Sequence, residues 1–225
     1  VDYSVAYSAN INVGTASLTI TGKGNYTGSI SKTFTIQPKA ITENEFTFDL
    51  ADKIYTGSEL KPAVTTKLTA ADYTVAYAAN TNAGKASVTV TGKGNYTGSI
   101  SKTFTILPKP ITENDFTFDL ADKVYTGSEI KPAVISELTA ADYTVTYAGN
   151  TNVGKATVTV TGRGNYIGTV SKSFNIVGKL ITEADFVLDL TDKIYTGSEI
   201  KPAVTSTLGA NDYTVTYADN VNAGK

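Results

Sequence analysis

Hydrophobic and polar residues alternate with a period of two along most of this chain. Short alternating stretches rich in Val, Ile, Thr, Phe and Tyr are separated by Gly, Asn and Pro, which is typical of β-strands joined by turns. Residues that share a parity, and are therefore predicted to share an inward face, are Phe46, Phe48 and Leu50; Tyr73, Val75 and Tyr77; Ala86, Val88 and Val90; and Ile100, Phe104 and Ile106. The pattern predicts an all-β chain that folds into small sandwiches with one polar face per sheet.

The same pattern returns every 70 residues. A Tyr-x-Val-x-Tyr motif begins at Tyr3, Tyr73, Tyr143 and Tyr213, and a Tyr-Thr-Gly-Ser-Glu motif begins at Tyr55, Tyr125 and Tyr195. Stretches in which Lys adjoins Pro or Gly, the likeliest linkers, lie at Gln37–Ala40, Leu107–Pro110 and Val177–Leu180. We predict a C-terminal part of a repeat (1–39), two complete repeats (40–109 and 110–179) and an N-terminal part of a repeat (180–225).

A short helical turn is predicted at the start of each repeat. Thr42 is followed three residues later by Glu45, and the corresponding pairs are Thr112 with Asp115 and Thr182 with Asp185. A Thr followed by a carboxylate at this spacing is a capping box, in which each residue satisfies a free backbone N–H at a helix start.

Composition narrows the range of functions. The net charge of −2 leaves no basic footprint for nucleic acid, and no apolar run is long enough to insert into a membrane. The chain has no His and no Cys, which removes imidazole and thiolate metal sites and every catalytic dyad built on those residues. We therefore predict that the chain is not an enzyme.

The repeated motifs resemble a known family. The stretches "YTGSELKPAV" and "DYTVAYAANTNAGKASVTVTGKGNYTGSISKTFTI", spaced as described, are similar to MBG-type and related bacterial immunoglobulin-like repeats. The resemblance covers essentially the whole chain. It implies a tandem array of immunoglobulin-like β-sandwiches in a large protein of the bacterial cell surface, without catalytic residues or cofactor. One departure is Ile167, which replaces the Thr of the Gly-Asn-Tyr-Thr-Gly motif.

An acidic stretch follows the first predicted linker. Glu43, Glu45, Asp49 and Asp52 lie close together in sequence, and Ca²⁺ binds six to eight oxygen ligands. The stretch lacks ligands at the fixed alternate positions of a calcium loop. A calcium site and a solvated, capped turn therefore remain the two interpretations.

Two loops are candidates for binding. Asn80 and Asn82 belong to an Asn-x-Asn-x-Gly turn, and Asn95 and Tyr96 belong to a Gly-Asn-Tyr turn. Asn and Gly tolerate the left-handed backbone conformation, so hairpin turns explain both motifs. The alternative is that these side chains contact a glycan or a host protein.

One lysine does not fit the alternation. Lys102, with its counterparts Lys32 and Lys172, shares the parity of the inward residues, where an unpaired ammonium is costly. A β-bulge could turn the side chain outward, or the long side chain could reach water past the apolar residues. It could also pair with a carboxylate, or form an isopeptide cross-link with an Asn or Asp side chain.

Near-identical repeats in series favour a structural role. We expect a stalk or spacer, part of an adhesin or other surface protein, that projects other domains from the cell wall and whose partners are the neighbouring repeats. One alternative is a repeat array that itself binds glycan or host protein. Another is a filament, in which residues 180–225 of one chain and 1–39 of the next form a complete repeat head to tail.

Overall fold

The computed structural model describes residues 1–222 and 224 of the chain. Within that part the regular structure is β-strand and three 3₁₀ turns, so the all-β prediction is confirmed. No helix in the described chain is both long enough and apolar enough to cross a membrane.

The strands are short at the start of each 70-residue period and long at its end. In chain order they are β1 (Tyr3–Ser8), β2 (Gly14–Gly22), β3 (Ser29–Ile36), β4 (Lys39–Ala40), β5 (Phe46–Phe48), β6 (Lys53–Ile54), β7 (Val64–Thr66), β8 (Tyr73–Ala78), β9 (Gly84–Gly92), β10 (Tyr96–Thr97), β11 (Ser99–Leu107), β12 (Lys109–Pro110), β13 (Thr117–Phe118), β14 (Lys123–Val124), β15 (Val134–Ile135), β16 (Tyr143–Ala148), β17 (Gly154–Gly162), β18 (Tyr166–Ile167), β19 (Thr169–Val177), β20 (Phe186–Leu188) and β21 (Val204–Ser206). The 3₁₀ turns are Glu43–Glu45, Glu113–Asp115 and Glu183–Asp185.

An antiparallel meander of three strands is the recurring unit of the sheets. It appears as β1–β2–β3, and in the four-stranded sheets β6–β11–β9–β8 and β14–β19–β17–β16 a short strand joins the long third strand in parallel. Five two-stranded sheets complete the described topology. They are β4–β10 and β12–β18, which are parallel, and β5–β7, β13–β15 and β20–β21, which are antiparallel.

The chain divides into two compact units. The first contains residues 1–119, 132–147 and 158–172, and the second contains residues 120–131, 148–157 and 173–225. The four-part division expected from the sequence repeat stays a prediction.

The first unit contains three clusters of buried apolar side chains. Two of them repeat at a 70-residue step. Ile41, Phe46, Val90 and Ile100 form one cluster, and Ile111, Phe116, Val160 and Val170 form the other. The third contains Ala86, Phe104 and Ile106, with Tyr55, Leu60 and Tyr77 packed against it. In the second unit the buried apolar side chains are Ala156, Phe174 and Ile176.

The alternation predicts the inward faces of the long strands. Ala86, Val88 and Val90 are at most 1% exposed, and Phe104 lies opposite Ala86 in the β9–β11 ladder. Leu50 is an exception, because β5 ends at Phe48 and the side chain of Leu50 is exposed. The capping boxes are confirmed at all three 3₁₀ turns.

Candidate functional site: contacts between consecutive repeats

The side chain of Asn165 joins two consecutive sequence repeats. Its Oδ1 accepts a hydrogen bond from the backbone N–H of Ala83 at 2.7 Å, and its Nδ2 donates to Oδ1 of Asn82 at 3.1 Å. The same pair of bonds occurs 70 residues earlier, where Asn95 accepts from Val13 N–H at 2.8 Å and donates to Asn12 at 3.0 Å. An amide both donates and accepts, so Asn satisfies both groups of the facing loop at once.

Backbone hydrogen bonds hold each of these asparagines against the linker of its own repeat. The carbonyl oxygen of Asn165 accepts from Lys109 N–H at 2.9 Å, and that of Asn95 accepts from Lys39 N–H at 2.9 Å. Linker strands β12 and β4 thereby pair in parallel with β18 and β10. The predicted linkers are therefore paired backbone at this point, and the contact loop and the linker share one small sheet.

Glycine is required in the turn that presents Asn95. A Cβ atom on Gly92 would lie 2.7 Å from the backbone nitrogen of Thr97, closer than real Cβ contacts. Gly98 has φ +89°, which other residues rarely adopt. The prediction that these glycines serve turn geometry is confirmed.

An aromatic contact accompanies the second asparagine contact. The rings of Tyr55 and Tyr166 meet edge to face with centroids 5.5 Å apart. The pKa of the Tyr166 phenol is raised, first because burial disfavours the phenolate and then because Tyr55, Asp142 and Asp115 are nearby. Edge-to-face pairs contribute about 0.5–1.5 kcal/mol beyond the area that they bury.

Asn80 and Asn82 have different surroundings although they are two residues apart. Asn80 is 7% exposed and donates from Nδ2 to the carbonyl oxygen of Leu60 at 3.1 Å, while its own carbonyl accepts from Leu60 N–H at 2.8 Å. Asn80 therefore fastens the Leu60 loop within its repeat, whereas Asn82 contacts the next repeat. Tyr96 lies beside the linker, with Lys39 Nζ 5.8 Å from its ring centroid.

The β-bulge interpretation of Lys102 is wrong. The β9–β11 ladder is continuous from Ser99 opposite Thr91 to Ile106 opposite Gly84, and it places Lys102 opposite the buried Val88. The side chain of Lys102 is 30% exposed, and its Nζ contacts Oε1 of Glu43 at 2.6 Å.

The counterpart lysines follow the same rule where their partner belongs to the sequence. Lys172 contacts Glu113 at 2.5 Å, again across 59 positions. The position 59 residues before Lys32 lies outside the sequence, and Lys32 is exposed. The inward lysine is thus accommodated by reaching a partly exposed carboxylate that precedes β5 or β13.

The intact mass of the chain is expected to equal the mass of its sequence. An isopeptide bond needs an uncharged amine and a protonated carboxyl group, whereas Lys102 and Glu43 form an ion pair that water reaches. High-resolution mass spectrometry of the folded chain measures this, because each cross-link removes one water or one ammonia. A mass deficit that disappears in Lys102→Arg would contradict the expectation.

The four acidic residues of the first linker region do not converge. Glu45 caps the 3₁₀ turn and contacts Lys39 Nζ at 2.6 Å, and Asp49 contacts Lys53 Nζ at 2.7 Å. The pKa of Glu45 is lowered by its bond to Lys39 and by the Thr42 backbone N–H, and the pKa of Asp49 is lowered chiefly by Lys53. Asp52 is exposed. Within the described chain no group of three or more His, Cys, Asp or Glu side chains is placed to hold a metal ion.

The fold and these contacts define an all-β repeat protein whose consecutive 70-residue repeats meet through recurring Asn-bearing loops. Residues 45–110 match the family model described as MBG domain. The match confirms the resemblance to MBG-type repeats that the motifs indicated. A comparison with the curated proteins finds no match.

The sequence reasoning missed the contacts between repeats. It assigned Asn82 and Asn95 to turns or to an outside ligand, and the structure places each against a loop of a neighbouring repeat. The available signal was the recurrence of both loops, each with its Asn, at the same 70-residue step. Recurrence alone could not show that the two loops meet.

Proposed function

We propose that the chain is a non-catalytic structural spacer of a bacterial surface protein, a tandem array of immunoglobulin-like sandwiches outside the cell. The observation that carries the proposal is the repeated contact between consecutive repeats, which Asn95 and Asn165 make with the same atoms. A contact that recurs at every step lets length grow with repeat number while the geometry of each step stays constant. The MBG match supports the class of surface-protein repeat.

The linkers support a stiff spacer. A flexible connection needs residues without partners, whereas Lys39–Ala40 and Lys109–Pro110 are paired in β4–β10 and β12–β18. Bending at the linker therefore requires breaking backbone hydrogen bonds together with the asparagine contact. The mechanism of such a protein is geometric, since it holds another domain at a distance from the cell wall.

The alternative of a glycan-binding or host-protein-binding array has less support. Its candidate side chains Asn82 and Asn95 are already hydrogen-bonded to neighbouring repeats, and Asn80 is buried. A glycan array probed with the chain, and with Tyr96→Ala as its control, separates the two functions. Reproducible binding that this variant abolishes would favour the alternative.

Length should increase by a constant step when repeats are added. We expect each further copy of residues 110–179, inserted in frame, to raise the maximum dimension in small-angle X-ray scattering by about 30–40 Å, because a nine-residue strand spans about 30 Å. Steps that shrink with each added copy, as for a flexible chain, would contradict a stiff spacer. Labelling of intact cells of the source organism with an antibody to residues 40–109 tests the extracellular location.

A further inference from the structure

Residues 1–39 expose an apolar face that is buried in the following repeat. Ile20, Ile30 and Phe34 are 38%, 63% and 44% exposed, whereas their counterparts 70 residues later, Val90, Ile100 and Phe104, are 0%, 8% and 3% exposed. We call this the head face. A surface cavity of about 480 Å³ lies on it and is lined in part by Tyr3, Ile20, Tyr26 and Ile30.

Residues 180–210 expose the complementary face. Ile181 is 52% exposed, whereas Ile41 and Ile111 at the same position of the period are 8% and 7% exposed. Residues 179–180 and 193–194, which correspond to β4 and β6, lie outside the described strands. We call this the tail face.

The chain shows twice which segment covers such a face. Ile41 and Phe46 pack against Val90 and Ile100, in the hairpin of β9 and β11. Ile111 and Phe116 pack against Val160 and Val170 of β17 and β19 in the same way. In the first segment the corresponding hairpin is β2 and β3, which carries Ile20 and Ile30.

We propose that the tail face of one chain binds the head face of a second copy, so that residues 180–210 and 1–39 build one complete repeat between two molecules. The two segments together contain every position of the 70-residue period once. In the complex Ile181 and Phe186 of one copy pack against Ile20 and Ile30 of the other. This proposal stands independently of the spacer function.

The tail also carries an unfilled copy of the asparagine contact. A cavity of about 410 Å³ is lined by residues that include Tyr125, Asn152 and Val153. These correspond to Tyr55, Asn82 and Ala83, which receive Tyr166 and Asn165 in the first unit. The matching residues of the head are Asn25 and Tyr26, so the second copy brings the side chains that this cavity fits.

Charge agrees with the same register. Lys102 pairs with Glu43 and Lys172 pairs with Glu113. By the same correspondence Lys32 of the second copy meets Glu183 of the first. Because head and tail are different surfaces, each chain keeps one free face after binding, and the assembly grows as a filament or closes as a ring.

Sedimentation velocity of the whole chain over roughly 1 μM to 1 mM tests the association. We expect wild-type chains to form oligomers as the concentration rises. Ile30→Asp blocks the head and Ile181→Asp blocks the tail, and each variant alone should remain monomeric. An equimolar mixture should form a heterodimer of twice the 23.7 kDa chain mass, because it contains one intact head–tail pair. Both replaced side chains are exposed, so folding should survive, which circular dichroism checks.

Ile135→Asp is the matched control. Ile135 is 66% exposed, and Thr65 and Thr205 occupy its position in the neighbouring periods, so this variant should associate like wild type. A wild-type chain that stays monomeric throughout would overturn the proposal and favour coverage of the tail by a following stretch of the same polypeptide. Undiminished association of Ile30→Asp and Ile181→Asp would overturn it in favour of another surface.

A charge exchange tests the register. Lys32→Glu and Glu183→Lys should each weaken association about two- to five-fold, and the double variant should restore it, because its interface again pairs opposite charges. A double variant no stronger than the single variants would show that Lys32 and Glu183 do not meet, and would overturn the proposed register.

Discussion

Replacing Phe104 with alanine is expected to lower the local free energy of unfolding of β9 and β11 by about 3–5 kcal/mol. Phe104 is 3% exposed and belongs to the cluster with Ala86 and Ile106. Truncation removes the buried ring and leaves a cavity that a sheet held by its neighbours fills only partly. A repeat with marginal stability of its own would open under this change.

Hydrogen exchange with mass spectrometry measures this effect. Separate repeats can open independently, so a single unfolding free energy is not defined for the chain, whereas exchange of the amides of Gly84–Leu107 reports their own opening. Phe34→Ala is the matched control, because Phe34 holds the same position of the period but is 44% exposed, and its loss should cost less than about 1 kcal/mol. Equal effects of the two variants would contradict the assignment of Phe104 to a core.

Replacing Asn165 with alanine is expected to open the contact between the second and third segments of the chain. The change removes both side-chain hydrogen bonds and leaves the N–H of Ala83, which is partly buried, without its acceptor. An unsatisfied group of this kind costs about 1–3 kcal/mol, and loss of protection by that amount accelerates exchange of the Ala83 amide by about ten-fold or more. Amide exchange followed by NMR resolves this single proton.

Asn25→Ala controls for effects of the turn itself. Asn25 occupies the same place in its Gly-Asn-Tyr turn, and the position 83 residues before it lies outside the sequence. A double-mutant cycle of Asn165→Ala with Asn82→Ala isolates the amide–amide bond, for which we expect coupling of about 1 kcal/mol. Unchanged exchange at Ala83 in Asn165→Ala would remove the asparagine contact from the argument for a stiff spacer.

Periodicity predicted the inward faces well because a strand leaves little freedom. Successive side chains must point to opposite sides, so the parity of Val88 and Val90 determines their burial once one face is covered. Parity was also right for Lys102, and the error lay in the assumption that an inward position excludes a charge. A long aliphatic side chain lets its ammonium reach Glu43 while its stem stays beside Val88.

Local spacing predicted the capping boxes for a similar reason. Thr42 and Glu45 lie within one turn, so their hydrogen bonds depend on nearby backbone alone. Asp49 and Lys53 also pair locally, and this pairing uses a carboxylate that the calcium interpretation assigned to a metal site. The sequence could not rank those alternatives, because both need only that opposite charges or oxygen atoms be near.

The sequence by itself determined the all-β class, the 70-residue period, the inward faces of the long strands and the turns that begin each repeat. These follow from interactions between residues a few positions apart, which alternation and spacing record directly. Only the tertiary structure decided that Lys102 meets Glu43 and that Asn165 joins Asn82 and Ala83. Those partners are 59 to 83 positions apart, and contacts at that range depend on how sheets and loops are brought together, which a local pattern does not encode.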